Sequence, residues 1–291
     1  MTQFFSYLAY ALFRFLSIFP LWAIYIFSDI VFFVVYRILA YRKQIVNQNL
    51  RNAFPDKTPQ EIRKIKKEFY HHFCDSFVET IKLWNISKKE IMRRCICKNP
   101  DFLNQYKAQG KSVIAVTGHY GNWEWLSSFA IYNIGDFLPI YKPLHNKVFD
   151  KMYIKIRERF GAQTLAKNDT LRTMIKHKKQ NHFTVTAFIG DQTPNRKNLH
   201  YWTNFLNQET PILQGTERIA KKLDQAVVYC KMTKVKRGYY EYEFIPITDQ
   251  PKETGENEIT ELHTRLLENI INENPSYWLW SHKRWKHKRN A

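Results

Sequence analysis

Glycine is scarce, nine residues in 291, and it never gathers into a phosphate-cradling loop. Neither G-x-x-x-x-G-K-[ST] nor G-x-G-x-x-G occurs, so the usual signs of an NTPase or a dinucleotide enzyme are missing. H-E-x-x-H and G-x-S-x-G are absent too, which removes the common zincin and α/β-hydrolase signatures. Cysteine is sparse: Cys74, Cys95, Cys97 and Cys230 form no C-x-x-C pair, and 95 and 97 lie too close in a regular element to bridge comfortably. All four read as reduced thiols, which places the chain in a reducing compartment and offers no metal site. With 11 prolines the chain is neither collagen-like nor rich in linkers. Acid is short as well, 26 Asp and Glu against 45 Lys and Arg, a net charge of +19. Aromatic residues, by contrast, make up 16% of the chain, and that much apolar surface excludes a disordered protein. Cations together with aromatics narrow the partners to polyanions: nucleic acid or an anionic membrane surface.

One long apolar run stands out. Residues 4–41 carry only Arg14, Asp29 and Arg37 as charges. The run is too long, and lacks the basic start, for a cleaved signal peptide. It reads either as a transmembrane helix near 15–36 or as a helical hairpin, broken near Pro20, lying in one leaflet, with a buried pair of core helices as the plain alternative. Arg37, Arg42 and Lys43 follow the run, so the positive-inside rule puts the rest of the chain in the cytoplasm. The expected organisation is a membrane-anchoring segment over 1–42 and one α/β domain over 43–291.

In that domain, 43–53 and 59–84 have helical spacing, with Thr58 and Pro59 as cap and first residue. Residues 102–109 form a short helix ended by Gly110. Short apolar runs at 112–118, 137–141 and 183–189 read as strands, separated by helices at 147–160 and 168–179. A helix at 214–223, a strand pair at 226–234 and 239–247 turning at Gly238, and a last helix over 256–272 complete the pattern. Strands alternating with helices predict a mixed sheet flanked by helices, with at least one antiparallel pair.

A histidine with a carboxylate five positions on can place a base beside the group that holds its tautomer. The pattern occurs three times, at His119/Glu124, His145/Asp150 and His263/Glu268. Residues five apart on one helix are about 140° apart around the axis and do not meet, so His263 and Glu268, inside a helix, read as a solvated face. His119 directly follows the strand 112–118, in GHYGNWEW. There Gly121 allows a turn, Asn122 can cap a helix, and Glu124 in its first turn can face the histidine. Strand ends are also where α/β domains place ligands. His145 and Asp150, across a helix start at Asn146, are the runner-up pair. Asp191 and Gln192 follow strand 183–189 in a similar loop, where Asp191 reads equally as a turn residue. Arg157 and Arg159, near a helix end, could neutralise an oxyanion but on composition alone read as a solvated basic face. The tail SHKRWKHKR at 281–289 is basic with an embedded Trp. A polybasic membrane contact, with Trp278, Trp280 and Trp285 at the headgroups or partly in the core, is more economical for it than nucleic acid.

Taken in order, these pieces resemble the lipid A biosynthesis (late or secondary) acyltransferase family, within the wider lysophospholipid acyltransferase group. The resemblance runs through the apolar amino terminus, NQNLRNAFP at 47–55, the His119-x4-Glu124 block, YKPLHN at 141–146 and RERFG at 157–161. It continues through Asp191-Gln192, Phe205, Gly215-Thr216 and PSYWLWSHKRW at 275–285. It implies a glycerol-3-phosphate acyltransferase-like fold and transfer of an acyl chain from an acyl-carrier-protein thioester to a hydroxyl of a lipid A precursor. His119 would be the base and Glu124 its orienting carboxylate. Arg157, Arg159 or N–H groups at Asn122 would steady the oxyanion. Asn122, Tyr141, Lys142, Asn146, Asp191, Gln192, Lys283 and Arg284 would bind substrate. No metal, cofactor or nucleic acid is implied, and the site would sit on the cytoplasmic face of the inner membrane. Two other readings stand beside it: the same chemistry on another lysolipid or aminolipid, and a non-catalytic membrane-anchored binding protein.

Overall fold

The structure, a computed structural model, describes residues 2–289. Its centre is a seven-stranded sheet in the order β1-β9-β8-β2-β5-β3-β4. The strands are β1 (Cys95–Cys97), β2 (Val113–Thr117), β3 (Asp136–Tyr141), β4 (Leu165–Ala166), β5 (Thr184–Ile189), β8 (Ala226–Lys236) and β9 (Tyr239–Thr248). All neighbours run parallel except β8 and β9, an antiparallel hairpin turned at Gly238, φ +73. This is the mixed sheet expected from the alternating pattern. Every residue of β2 is buried, as a central parallel strand requires. Its side chains alternate between two cores: Val113 and Ala115 on one face, Ile114 and Val116 on the other.

Helices cover both faces: α3 (Lys43–Ala53), α4 (Pro59–Lys82), α5 (Lys88–Arg94), α6 (Asn104–Ala108), α7 (Lys147–Glu158), α8 (Thr170–Lys179), α9 (Gly215–Leu223) and α10 (Glu258–Glu273). Thr58 and Glu61 close a full capping box at the start of α4, with Pro59 as its first residue. Several pieces escape the periodicity reading, α5 and the two-residue β4 among them. β1 is too short to show a period. β6 (Tyr201–Phe205) and β7 (Gln208–Ile212) form a separate hairpin whose turn residues, Leu206 and Asn207, both have positive φ. Asn207 was the available signal.

The apolar amino terminus folds as two helices, α1 (Thr2–Leu16) and α2 (Leu21–Phe32), the latter continued by a π-helical turn over Phe33–Ile38. The break falls at Pro20, which caps α2. The pair meets the domain through polar as well as apolar groups, with Leu21 and Ile24 buried. Towards α4 it presents polar groups: Ser28 donates to Asp75 at 2.8 Å, Tyr25 to Glu79 at 2.7 Å, and Lys82 donates to the carbonyls of Ser17 and Phe19. Away from the domain it presents Phe4, Leu8, Leu12 and Phe15 on α1, Trp22, Ile26 and Ile30 on α2, and Phe33 in the turn that follows, all more than half exposed.

Asp75 anchors this docking. Besides Ser28 it binds Arg237 at 2.7 Å and lies 3.8 Å from Lys234 Nζ, and Arg237 also reaches Asp29. Asp75→Ala would strip the largely buried Lys234 and the part-exposed Arg237 of the carboxylate they share. The expected loss is about 3 kcal/mol, at the low end for breaking a buried pair because solvent reaches Arg237. Thermal unfolding of the detergent-solubilised protein checks it, with Asp75→Asn expected to lose less.

Candidate active site

β2 and β5 are neighbours with Thr117 opposite Ile189. Two residues beyond each strand end stand His119 and Asp191, so register alone delivers both side chains to one place at the carboxyl edge of the sheet. His119 Nδ1 lies 2.7 Å from Asp191 Oδ1, and the His119 backbone N–H donates to Asp191 Oδ2 at 2.9 Å. Trp278 Nε1–H donates to the same Oδ2 at 2.8 Å. Accepting from Nδ1–H, Asp191 leaves Nε2 as the basic nitrogen. Burial works against a charged imidazole, but Asp191 and then Glu124 outweigh it and raise the pKa of His119 above the ordinary histidine value. Burial likewise opposes ionisation of Asp191. His119, the His119 backbone N–H and Trp278 prevail and hold it well below the usual carboxylate range.

Glu124 does not take the place expected of it. It lies in a 3-10 helix over Trp123–Tyr132 and accepts a bidentate pair from Arg157, Nε at 2.7 Å and Nη2 at 2.6 Å. Asp191, read from sequence as a substrate-binding or turn residue, is the carboxylate on the imidazole. The sequence spacing misleads because a contact across two adjacent strands leaves no short-range pattern. Arg157 and Glu124 still lie near enough for both charges to act on His119. Arg157 also stacks over Tyr153, 5.4 Å from the ring centre, and neighbours Tyr141 at the end of β3.

Arg159 points elsewhere, donating to the carbonyls of Leu83 and Ile86 beyond α4. Asn122 makes no side-chain cap; buried, it donates to Glu79 at 2.6 Å. Asn146 caps α7 through Val148 and Phe149 N–H and donates to Ser6 of α1. Lys142, Gln192 and Lys283 are exposed, whereas Arg284 is in the core at 1% exposure. His145 and Asp150 do not pair: Asp150 accepts from Leu144 N–H. His263 is not on a solvated face. It is buried against Gly190, because α10 lays that side on the sheet, and Glu268 accepts from Leu206 N–H instead. Trp278 and Trp280 are core residues too, so the headgroup reading fails for them.

Two supports went unseen in the sequence. Buried Glu79 accepts from Tyr25 of α2, Asn122 of the His119 loop and Tyr240 of β9. The segment after α10 clamps the same loop: Leu279 N–H donates to His119 O and Gly121 N–H to Tyr277 O. Charge on the buried side of α4 was the available sign of the first. Among the described residues one group has metal-ligand chemistry, Asp136, His177 and His182, at the opposite edge of the sheet. There Asp136 is already bonded to His182 at 2.7 Å, and Lys176 adds positive charge beside His177. It reads as a hydrogen-bonded histidine–aspartate pair at the surface.

A histidine–carboxylate pair with an arginine–carboxylate clamp beside it is an arrangement suited to general-base chemistry with a cation at hand for a developing negative charge. The sequence model for bacterial lipid A biosynthesis acyltransferase matches residues 1–287, and the chain belongs to that family. Lipid A biosynthesis palmitoleoyltransferase of Escherichia coli K12 is 23% identical over 246 residues, 84% of this chain and 79% of its own length. Lipid A biosynthesis lauroyltransferase of the same organism is 22% identical over 252 residues, 86% and 81% of the two chains. A lipid A biosynthesis acyltransferase of Haemophilus influenzae is 21% identical over 239 residues, 80% and 72%.

Proposed function

We propose that this enzyme moves a fatty acyl chain from an acyl-carrier-protein thioester to a hydroxyl of a lipid A precursor. The observation that carries the reading is the His119–Asp191 pair at the sheet's carboxyl edge with Glu124–Arg157 beside it. His119 Nε2 takes the hydroxyl proton. The oxygen attacks the thioester carbonyl, and the tetrahedral oxyanion collapses as the C–S bond breaks. The proton passes from His119 to the departing thiolate. Asp191 holds the tautomer and balances the imidazolium. Arg157, pinned by Glu124 through Nε and Nη2, turns its Nη1 group to the oxyanion. Glu124 thus acts on the arginine rather than on the histidine. Tyr141 and Lys142 would line the approach, with the exposed Gln192 and Lys283 meeting anionic substrate groups. The basic charge would draw in both an acidic carrier protein and acceptor phosphates. The same chemistry on another lysolipid or aminolipid is the second reading, since the residues of the site speak to the reaction and not to the acceptor.

The α1–α2 hairpin would lie in one leaflet of the inner membrane with its apolar stripe in the acyl region. Its polar side stays bonded to α4, and the site sits on the cytoplasmic side. Leu21–Ile38 is long and apolar enough to span, with a mean hydropathy of 1.8. A span would break the Ser28, Tyr25 and Asp29 bonds to the domain. Replacing Trp22, Ile26 and Ile30 with serine is expected to weaken binding to vesicles of anionic phospholipid at least about 100-fold, since each loses roughly 1.5–3 kcal/mol of apolar burial. Co-sedimentation at high salt checks it.

The reading itself is tested by supplying labelled acyl-carrier-protein with a panel of lipid A precursors and lysolipids, and weighing the products by mass spectrometry. One acceptor gaining one acyl chain supports it. No transfer to any hydroxyl-bearing lipid, with the donor intact, overturns it.

A further inference from the structure

Arg284 is one of the largest fully buried side chains in the protein, 1% exposed. Its Nη2 donates to Pro211 O at 2.8 Å, while Nε and Nη1 have no hydrogen-bond partner among the described residues. It lines a small cavity behind the strand ends that is shared with Thr117, Gly190, Asp191, Tyr229 and His263. A buried guanidinium is costly unless a nearby anion balances it. Burial pulls its pKa down to about 10, and Asp191 is the carboxylate that opposes the fall, so Arg284 remains a cation at neutral pH.

The charge count makes the arrangement informative. When His119 is neutral, Asp191 is a buried carboxylate whose hydrogen bonds come from His119 and Trp278. Left alone in the core, that anion would favour a proton on His119 and so disarm the base. The other ionisable groups around Asp191 do not supply the missing cation. His263 and His282 are both driven down to about 4 by burial, which leaves them neutral, and Tyr229 is held protonated by burial. Around His119 the remaining charges are Glu124 and Arg157, which neutralise each other.

We propose that Arg284 is a positioning residue for catalysis: its buried guanidinium balances Asp191 from within the core and so holds the proton affinity of His119 below what Asp191 alone would set. The assignment deepens the proposed acyl transfer and rests on His119 being its base. It replaces the substrate contact expected for Arg284, which its burial rules out.

The test uses the full-length protein in detergent, labelled with 15N-histidine. The His119 ring signal is identified by its loss in His119→Gln and followed against pH with no donor or acceptor present. A failed acyl-transfer assay therefore leaves this measurement standing, and the converse. In Arg284→Met the His119 midpoint is expected to rise by about one pH unit, tenfold in proton affinity, as removal of a nearby charge does. In Arg284→Lys it stays within a few tenths of a unit. A midpoint in Arg284→Met equal to that of the unaltered protein overturns the proposal, as does an equal rise in Arg284→Lys. If Arg284→Met does not fold, the Asp191→Asn/Arg284→Met double variant decides. Removing both charges is expected to restore folding, whereas a side chain needed only for packing leaves the double variant unfolded, and that result overturns the proposal.

Discussion

His119→Ala is expected to lower kcat/KM for acyl transfer by about 10²–10⁴-fold, the range supplied by a positioned general base. The loss falls on kcat, because the imidazole acts on the hydroxyl proton in the transition state and adds little to holding either lipid. The fold is expected to survive, since the loop is also held from its backbone. Leu279 N–H donates to His119 O, Gly121 N–H donates to Tyr277 O, and buried His72 lies 3.1 Å from Gly121 O. Steady-state transfer by mass spectrometry, beside thermal unfolding of the same preparation, checks both halves. A variant that keeps wild-type turnover would make His119 structural. Arg159→Ala is the useful contrast. Its guanidinium caps carbonyls beyond α4, so the damage is expected in stability with the rate per folded molecule unchanged.

How far the sequence reaches follows from the range of each contact. β2 is legible because a buried strand leaves an unbroken apolar run, β5 because it is a short β-branched and apolar stretch between helices, and β8–β9 because Gly238 marks the turn between two such stretches. The His119 loop is legible for the same reason: an end of a buried strand followed by glycine and polar residues is locally visible. The identity of the histidine's partner is not. Asp191 lies 72 positions away, and only the pairing of β2 with β5 makes them neighbours. A carboxylate five residues on was the nearest candidate in sequence, and in space it serves Arg157, 33 positions away. The tail shows a second limit. SHKRWKHKR reads as a polybasic membrane contact, yet Ser281 and Arg284 are buried while Asn49 of α3 holds Trp280 O and His282 O from the other side. Composition counts charges but does not say which of them a core has closed over. The amino-terminal helices show the reverse case. Their apolar content points to lipid, with a core pair as the plain alternative, but not to which face meets the domain; the polar bonds to α4 supply that.

Asp191→Asn separates the two carboxylates. An amide cannot balance an imidazolium, and Asn can accept from Nδ1–H only by giving up acceptors used by the His119 backbone N–H and Trp278. The expected fall in kcat/KM is about 10²–10⁴-fold, as for the base itself, since the two act as a unit. The pH profile carries the sharper statement. In the intact enzyme Asp191 raises the pKa of His119 above its ordinary value, so the acidic limb of kcat/KM, where His119 takes up a proton and ceases to be a base, lies above that value. Without the carboxylate, burial acts with less opposition and the limb moves to lower pH. The variant is therefore slow everywhere but loses proportionately less on acidification. Glu124→Gln is expected to move the limb in the same direction and by less, because its charge is shared with Arg157. Its main effect would be a loosened oxyanion contact, a loss in kcat at all pH values. Profiles of kcat/KM for the three proteins against one acceptor decide the assignment. If Glu124→Gln moves the limb further than Asp191→Asn, the histidine answers to Glu124 during turnover, and the pairing across β2 and β5 is only the arrangement of the resting site.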